Sequence, residues 1–240
     1  MSGTRKFLVG LAFFLIIGAC SLHANANPST ALVDSGYIGG LVPIGDRATV
    51  GWEFTPSCDI WVTELGFSDI SPDGLSYSHT VGIWDENQQL LVSQVIPDGT
   101  TATLLDEYRY MAIAPLQLAA GQTFIIGASV PVPYGEPSPS PDAYPNSTIH
   151  IDPSAIAFDT CINLISPNRY AESDQNGPLE QFIFPDQYAL SEPIYDLEFN
   201  QIGTIDYYFF APNFQFVPEP ATLVLLALGG LGILCSNRRK

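Results

Sequence analysis

Four cysteines, three histidines and 25 carboxylates are the groups of this 240-residue chain with the most chemistry to offer. Cys20 and Cys235 sit in apolar runs near the two ends, which leaves Cys58 and Cys161 as an even pair in the body. In an oxidising compartment such a pair reads as a disulfide, with two separately buried thiols as the plainer alternative. A zinc site lacks the local ligand spacing that such sites use. Calcium is the better metal candidate. Asp69-Ile-Ser-Pro-Asp73-Gly74 is an oxygen-rich turn with Asp85 not far behind, and hard cations take six to eight oxygens in a negative field. The same letters also make an ordinary Asp/Gly turn. Carboxylate pairs suited to glycoside hydrolysis are inevitable among so many acids. His79 and His150 formally allow Ser/His/Asp catalysis, but there is no Gly-x-Ser-x-Gly elbow. His79, opening an apolar run, reads as structural. Asn146-Ser-Thr148 matches a glycosylation acceptor and reads as incidental. The expectation is a protein that is not an enzyme and has no obligatory cofactor.

Short strands must position these groups. Runs with period two span Thr49–Phe54, Ile60–Phe67, His79–Asp85, Leu90–Ile96, Tyr108–Ile113 and Gln122–Val130, with later strands expected near Gln181–Phe184 and Ile205–Phe216. In the second run Trp61, Thr63, Leu65 and Phe67 fall opposite Ile60, Val62 and Glu64. No central segment has a clean 3.6-residue period. Gly 20 and Pro 20 suit many turns. The fold class is therefore all-β: an antiparallel, jelly-roll-like sandwich, flanked by an N-terminal signal helix and a short C-terminal transmembrane helix. Residues 131–147 hold six prolines and read as a surface loop, and 166–180 as a second, polar loop. Trp52, Trp61 and Trp84 lie in strands and read as core, whereas Tyr134, Tyr144 and Tyr170, all in loops, are the candidates for a glycan-facing surface.

Charge is segregated along the chain. Residues 27–217 carry 24 acids and 3 bases (Arg47, Arg109, Arg169), a charge of −21. Phosphate contacts need a basic face, so nucleic acid is excluded as a partner. Aromatics at 12% and charged residues at 14% argue for a packed core.

The bases missing from the body are at the ends. Arg5-Lys6, an 11-residue apolar run from Phe7 to Ile17 and the small-x-small triplet Ala24-Asn25-Ala26 read as a secretory signal over 1–26, cut by signal peptidase after Ala26. Ile17-Gly-Ala-Cys20 resembles a lipobox, the rival processing route, and both routes export the chain. At the other end, 218–240 run through Pro218-Glu219-Pro220, an apolar stretch from Ala221 to Cys235, and Arg238-Arg239-Lys240. Two prolines around one glutamate disfavour helix. The 15 apolar residues make about 22 Å of helix, short for a span, and the basic cluster keeps the tail inside.

This tripartite tail resembles the PEP-CTERM sorting signal of Gram-negative bacteria. The resemblance implies recognition by an integral-membrane exosortase that cuts near Pro218-Glu219-Pro220, with Arg238, Arg239 and Lys240 as the retention signal. The body, through Gly51-Trp-Glu-Phe-Thr55, Ile60-Trp-Val-Thr-Glu-Leu-Gly-Phe67, Ser78-His-Thr-Val-Gly-Ile-Trp84 and Pro212-Asn-Phe-Gln-Phe216, resembles a β-sandwich domain that recurs in PEP-CTERM proteins and brings no catalytic residues with it. The expected life history is an inner-membrane-tethered intermediate, then a cell-surface or extracellular protein of the envelope, exopolysaccharide or biofilm. The alternative is a carbohydrate-binding module using loop aromatics; an extracellular hydrolase comes third.

Overall fold

The computed structural model describes residues 27–36, 48–70, 72–130, 155–172, 182–189, 192–195, 201–205 and 208–219. The signal segment 1–26, the proline-rich loop 131–147 (with Tyr134, Tyr144 and Asn146), His150, and the tail from Pro220 to Lys240 lie outside them. Residues Pro28–Glu219 form one compact unit. Among the described residues no helix is long and apolar enough to cross a membrane.

The strands are β1 (Ser29–Thr30), β2 (Leu32–Asp34), β3 (Ala48–Pro56), β4 (Ile60–Ser68), β5 (His79–Asp85), β6 (Leu90–Ile96), β7 (Thr103–Leu105), β8 (Tyr108–Leu118), β9 (Phe124–Val130), β10 (Ala157–Phe158), β11 (Ile162–Glu172), β12 (Gln187–Tyr188), β13 (Glu192–Tyr195), β14 (Gln201–Ile205) and β15 (Pro212–Pro218). Two large sheets result. One has five strands in the order β1-β15-β4-β8-β7, the other six in the order β12-β11-β3-β9-β5-β6, and β10-β2 and β13-β14 form two small ribbons. Every pairing is antiparallel.

The core lies between the two sheets. Val50, Trp52 and Phe54 of β3 and Val81 and Ile83 of β5 meet Ile60, Val62, Leu65 and Phe67 of β4 and Phe214 and Phe216 of β15 in one cluster. The alternation of β3 puts Trp52 and Phe54 inward, where the Trp52 ring stacks on Phe214 at 5.9 Å and Phe54 sits 5.0 Å from Phe214. Each fully buried aromatic contributes on the order of 1.5–3 kcal/mol. Trp52 Nε1–H donates to the Pro212 carbonyl at 2.8 Å, so the core's largest side chain leaves no orphan donor.

Strand β4 departs from the simple alternation. Inward residues are Ile60 and Val62, then Leu65 and Phe67. The parity changes because β4 is irregular between Val62 and Glu64 against β8, and β15 shifts register at the same place. A bulge inserts a residue and turns every later side chain over. Trp61 is thereby sent outward, 37% exposed, instead of into the core. The same bulge takes in Pro115, so β8 continues to Leu118 and does not stop before the proline.

Three further expectations need correction. Residues 166–172 are not loop but the end of β11, which pairs with β3 across two irregularities around Pro167. Tyr170 consequently sits half-buried in that strand, 6.3 Å from Phe209. Residues 182–186 form no strand; Phe182 and Phe184 lie against Trp84 at 4.7 and 5.9 Å. Trp84 is therefore buried on the outer face of the six-stranded sheet, apart from the central core. That face admits rings because Gly127 and Gly82 stand in register there. A Cβ on Gly82 would lie 2.8 Å from the Phe182 ring, and one on Gly127 3.1 Å from Trp84.

Cys58 and Cys161 are joined by a disulfide, with Cα atoms 5.6 Å apart, where β3 leads into β4 and the turn leads into β11. The Ser57 N–H donates to the Cys161 carbonyl at 2.8 Å beside it. The sequence separation is 103, so the bond removes much freedom from the unfolded chain. Reduction, or the double change Cys58→Ser with Cys161→Ser, is expected to lower unfolding free energy by about 2–4 kcal/mol, read as the difference between urea transitions with and without reductant.

Candidate functional site

Strand β15 runs directly into the C-terminal motif. Phe216, Val217 and Pro218 pair with Val62, Trp61 and Ile60 of β4. Pro218 has no N–H, so the ladder would stop there, but the next residue makes one more connection. Glu219 N–H donates to the Asp59 carbonyl at 2.9 Å. Its side chain turns back over the outer face of the five-stranded sheet. Oε1 accepts Trp61 Nε1–H at 3.0 Å and Gln117 Nε2–H at 2.6 Å. Trp61 and Gln117 face each other across β4 and β8, so the sheet register places both donors under one oxygen. Asp59 is itself fixed, its Oδ1 accepting Ala120 N–H at 2.7 Å. Pro218 and Glu219 of the sequence-defined motif are thus docked on the sandwich. Trp61 and Gln117 were not visible as their partners, because only the bulged register of β4 brings them there.

The three carboxylates considered for calcium do not gather. Among the described residues there is no group of three metal-ligating side chains. Asp69 is buried and its Oδ2 takes Arg109 Nε–H at 2.6 Å and Gly74 N–H at 3.2 Å. The Arg109 guanidinium also donates to the carbonyls of Thr100, Ala102 and Pro72 at 3.3, 3.1 and 3.5 Å. A cation would have to displace that arginine. Asp73 is exposed in the turn, where Gly74 adopts φ 107°. Asp85 belongs to a different turn, between β5 and β6; its Oδ1 accepts the amides of Asn87 and Gln89, each at 2.9 Å. Asp69, Asp73 and Asp85 are therefore not brought together: the first is an ion-pair partner, the second is exposed in its turn and the last is a turn cap.

His79 is buried in β5, stacked on Phe67 at 3.6 Å, with Nδ1 2.8 Å from the Ser129 carbonyl. That is a wall of the core, shut off from substrate. Burial raises the phenols of Tyr108 and Tyr110 above their ordinary range, and Tyr108 Oη donates to the Phe210 carbonyl at 2.7 Å. Both act as neutral packing groups.

One surface cluster was not anticipated. On the outer face of β3 and β11, Arg169 lies 3.5 Å from Glu53 Oε2, and its guanidinium carbon sits 4.4 Å from the Tyr188 ring centre and 5.5 Å from that of Phe184. Tyr188 Oη donates to Glu53 Oε2 at 3.0 Å. Buried as it is, Arg169 is held by one carboxylate and two rings, and Tyr188 keeps half its surface in solvent. Sequence offered no signal for it, because its members come from three separated segments.

The match to known families falls on the tail. Residues 216–240 carry a PEP-CTERM protein-sorting motif. The motif marks an exported protein, handled by an exosortase and passing through a membrane-anchored intermediate. Its first residues, 216–219, are the end of β15 and the clasped glutamate just described. No curated protein and no solved structure matches the chain.

Two stability measurements follow. Asp69→Ala leaves the Arg109 charge buried without its carboxylate and is expected to cost about 3–5 kcal/mol in chemical denaturation, with calcium giving no heat in calorimetric titration of the wild type. Glu107 is half-buried, and its pKa is raised by burial, then by the charges of Asp34 and Asp106. A carboxyl whose folded pKa is raised favours the fold while protonated and loses that contribution as pH climbs from its unfolded to its folded pKa. Glu107→Gln is therefore expected to raise the melting temperature at pH 7, with the advantage vanishing below the unfolded pKa of about 4.3.

Proposed function

We propose that the chain is a non-enzymatic structural protein of the cell envelope or extracellular matrix, released to an exopolysaccharide-rich surface or biofilm after its tail is processed. The observation that carries this reading is the PEP-CTERM motif at 216–240, joined without a linker to a closed, disulfide-bonded sandwich. Among the described residues the buried His79 packs on Phe67, the buried Asp69 is paired with Arg109, and the buried phenols of Tyr108 and Tyr110 stay neutral. The strongly acidic surface keeps such a protein soluble and away from anionic membranes. In this reading the signal segment 1–26 is removed after Ala26, and Arg238, Arg239 and Lys240 hold the tail inside until the cut.

A second reading, carbohydrate binding, draws on Tyr188. The loop tyrosines 134 and 144 lie outside the described residues and Tyr170 is in a strand, so the exposed ring to weigh is that of Tyr188, beside the polar pair Glu53 and Arg169. An exposed ring with flanking donors and acceptors suits a sugar face. A glycan array with the released body separates the two readings: retention of a defined glycan, lost in Tyr188→Ala, favours the module.

The main test is cell fractionation with terminal mass spectrometry of the native protein. The expected product begins at residue 27 and lacks the basic tail. Glu219→Ala removes the element's one charged group and is expected to leave more chain at its full length than wild type, read in the same mass spectra. Mature protein that retains Lys240 contradicts the reading.

A further inference from the structure

We propose that the sandwich latches its own sorting element: Trp61, Gln117 and Asp59 hold Glu219 against the five-stranded sheet, and the exosortase acts on the fraction of molecules in which this clasp is open. The inference rests on the sorting reading and adds a control to it. The recognition element Pro218-Glu219-Pro220 has few groups by which an enzyme could read it. Both prolines lack an N–H, so Glu219 carries the element's one backbone donor and its one charged side chain. The domain engages both. The N–H is donated to the Asp59 carbonyl at 2.9 Å. The carboxylate's Oε1 is taken by Trp61 at 3.0 Å and Gln117 at 2.6 Å. The preceding residue, Pro218, is still in strand register with Ile60. An enzyme that binds this segment in an extended form competes with β4 for the backbone and with two side chains for the carboxylate.

The clasp is local and reversible. Gln117 is exposed, Trp61 is 37% exposed and Glu219 half-buried, so opening it disturbs no core residue. Hydrogen bonds to a charged acceptor at a wet surface bias such an equilibrium by about three- to tenfold. An enzyme that requires the open form sees its apparent affinity reduced by that factor. The latch also orders events. It exists only when β15 has paired with β4, so a chain whose last strand is still unpaired offers Glu219 freely, and a finished domain offers it sparingly.

The test uses the full-length chain in its exporting cell. Trp61→Phe keeps the ring and removes its donor. Gln117→Glu places a like charge beside Glu219 and touches no packing. Processing rate is read by pulse-chase with mass spectrometry of the C-terminus, and hydrogen exchange at the Glu219 amide reports the clasp directly. Both variants are expected to lose amide protection and to be processed about three- to tenfold faster, with melting temperatures within about 2 °C of wild type. Rates equal to or below wild type in variants that have lost that protection overturn the latch. An uncut wild-type chain overturns instead the sorting reading beneath it.

Discussion

The insertion of the last strand between the first and the fourth is the constraint on which the rest of this structure depends. β15 is the penultimate strand of the five-stranded sheet, with only two residues of β1 beyond it. It supplies Phe214 and Phe216 to the core and the carbonyl that satisfies Trp52. It is also fastened sideways. Asn213 is fully buried; its Oδ1 accepts the N–H of Leu32 at 3.0 Å and of Phe214 at 2.8 Å, and its Nδ2 donates to the Leu32 carbonyl at 2.9 Å. One side chain thus stands in for a missing stretch of ladder between β15 and β2. Without β15, a face of aromatic rings and several buried backbone groups would meet water.

Charge tells a related story. The body has three bases against 24 acids, and two of the three are committed within the fold. Arg109 pins the 69–74 turn to the strand that follows β7, and Arg169 is sandwiched between Glu53 and the Phe184 and Tyr188 rings. Positive charge here is structural cement. The remaining acids are left with little internal compensation, a charge that opposes docking on anionic surfaces. The same scarcity explains why no cation site emerges from the candidates: the one buried carboxylate among them already has its cation in Arg109.

Sequence made the architecture legible wherever one face was consistently buried. The bounds of β3, β5, β6 and β9 fall within two residues of their sequence patterns, and β3 pairs with β9, and β9 with β5, without a register shift. It misled where a bulge intervened. The stretch from Ile60 to Phe67 contains two faces of opposite parity, and no alternation rule can show that Trp61 and Leu65, four residues apart, part company at Val62–Glu64. β11 was hidden because Ser166-Pro-Asn-Arg169 carries turn letters, which its two irregularities absorb. The aromatic pair Phe182 and Phe184 looked like a strand because period two also describes a segment laid flat on a glycine-smoothed sheet face. Of the chemistry, the cysteine pair and the tail were legible from residue type and position. The partners of Glu219, the Asp69–Arg109 pair and the Tyr188 cluster were not, because each joins segments whose proximity only the strand register defines.

Closure by β15 also fixes where such a chain can be cut. β1 begins three residues after Ala26, and β15 ends one residue before Glu219. Ser29 and Phe216 are direct partners in the same sheet. The paired strands that complete the sandwich therefore lie immediately inside both of the proposed processing points. A cut upstream of Pro212 would remove the core's Phe214 and the Asn213 clamp and open the fold. A cut at or beyond Glu219 removes nothing that the core uses. The position of the Pro-Glu-Pro element, at the first residues past the last ladder contact, is thus the earliest place where the tail can be severed without loss of the domain. A contact between strands nearly the whole body apart in sequence carries a large loop-closure cost, so the pairing that completes the sandwich is also the pairing that brings Glu219 under Trp61 and Gln117.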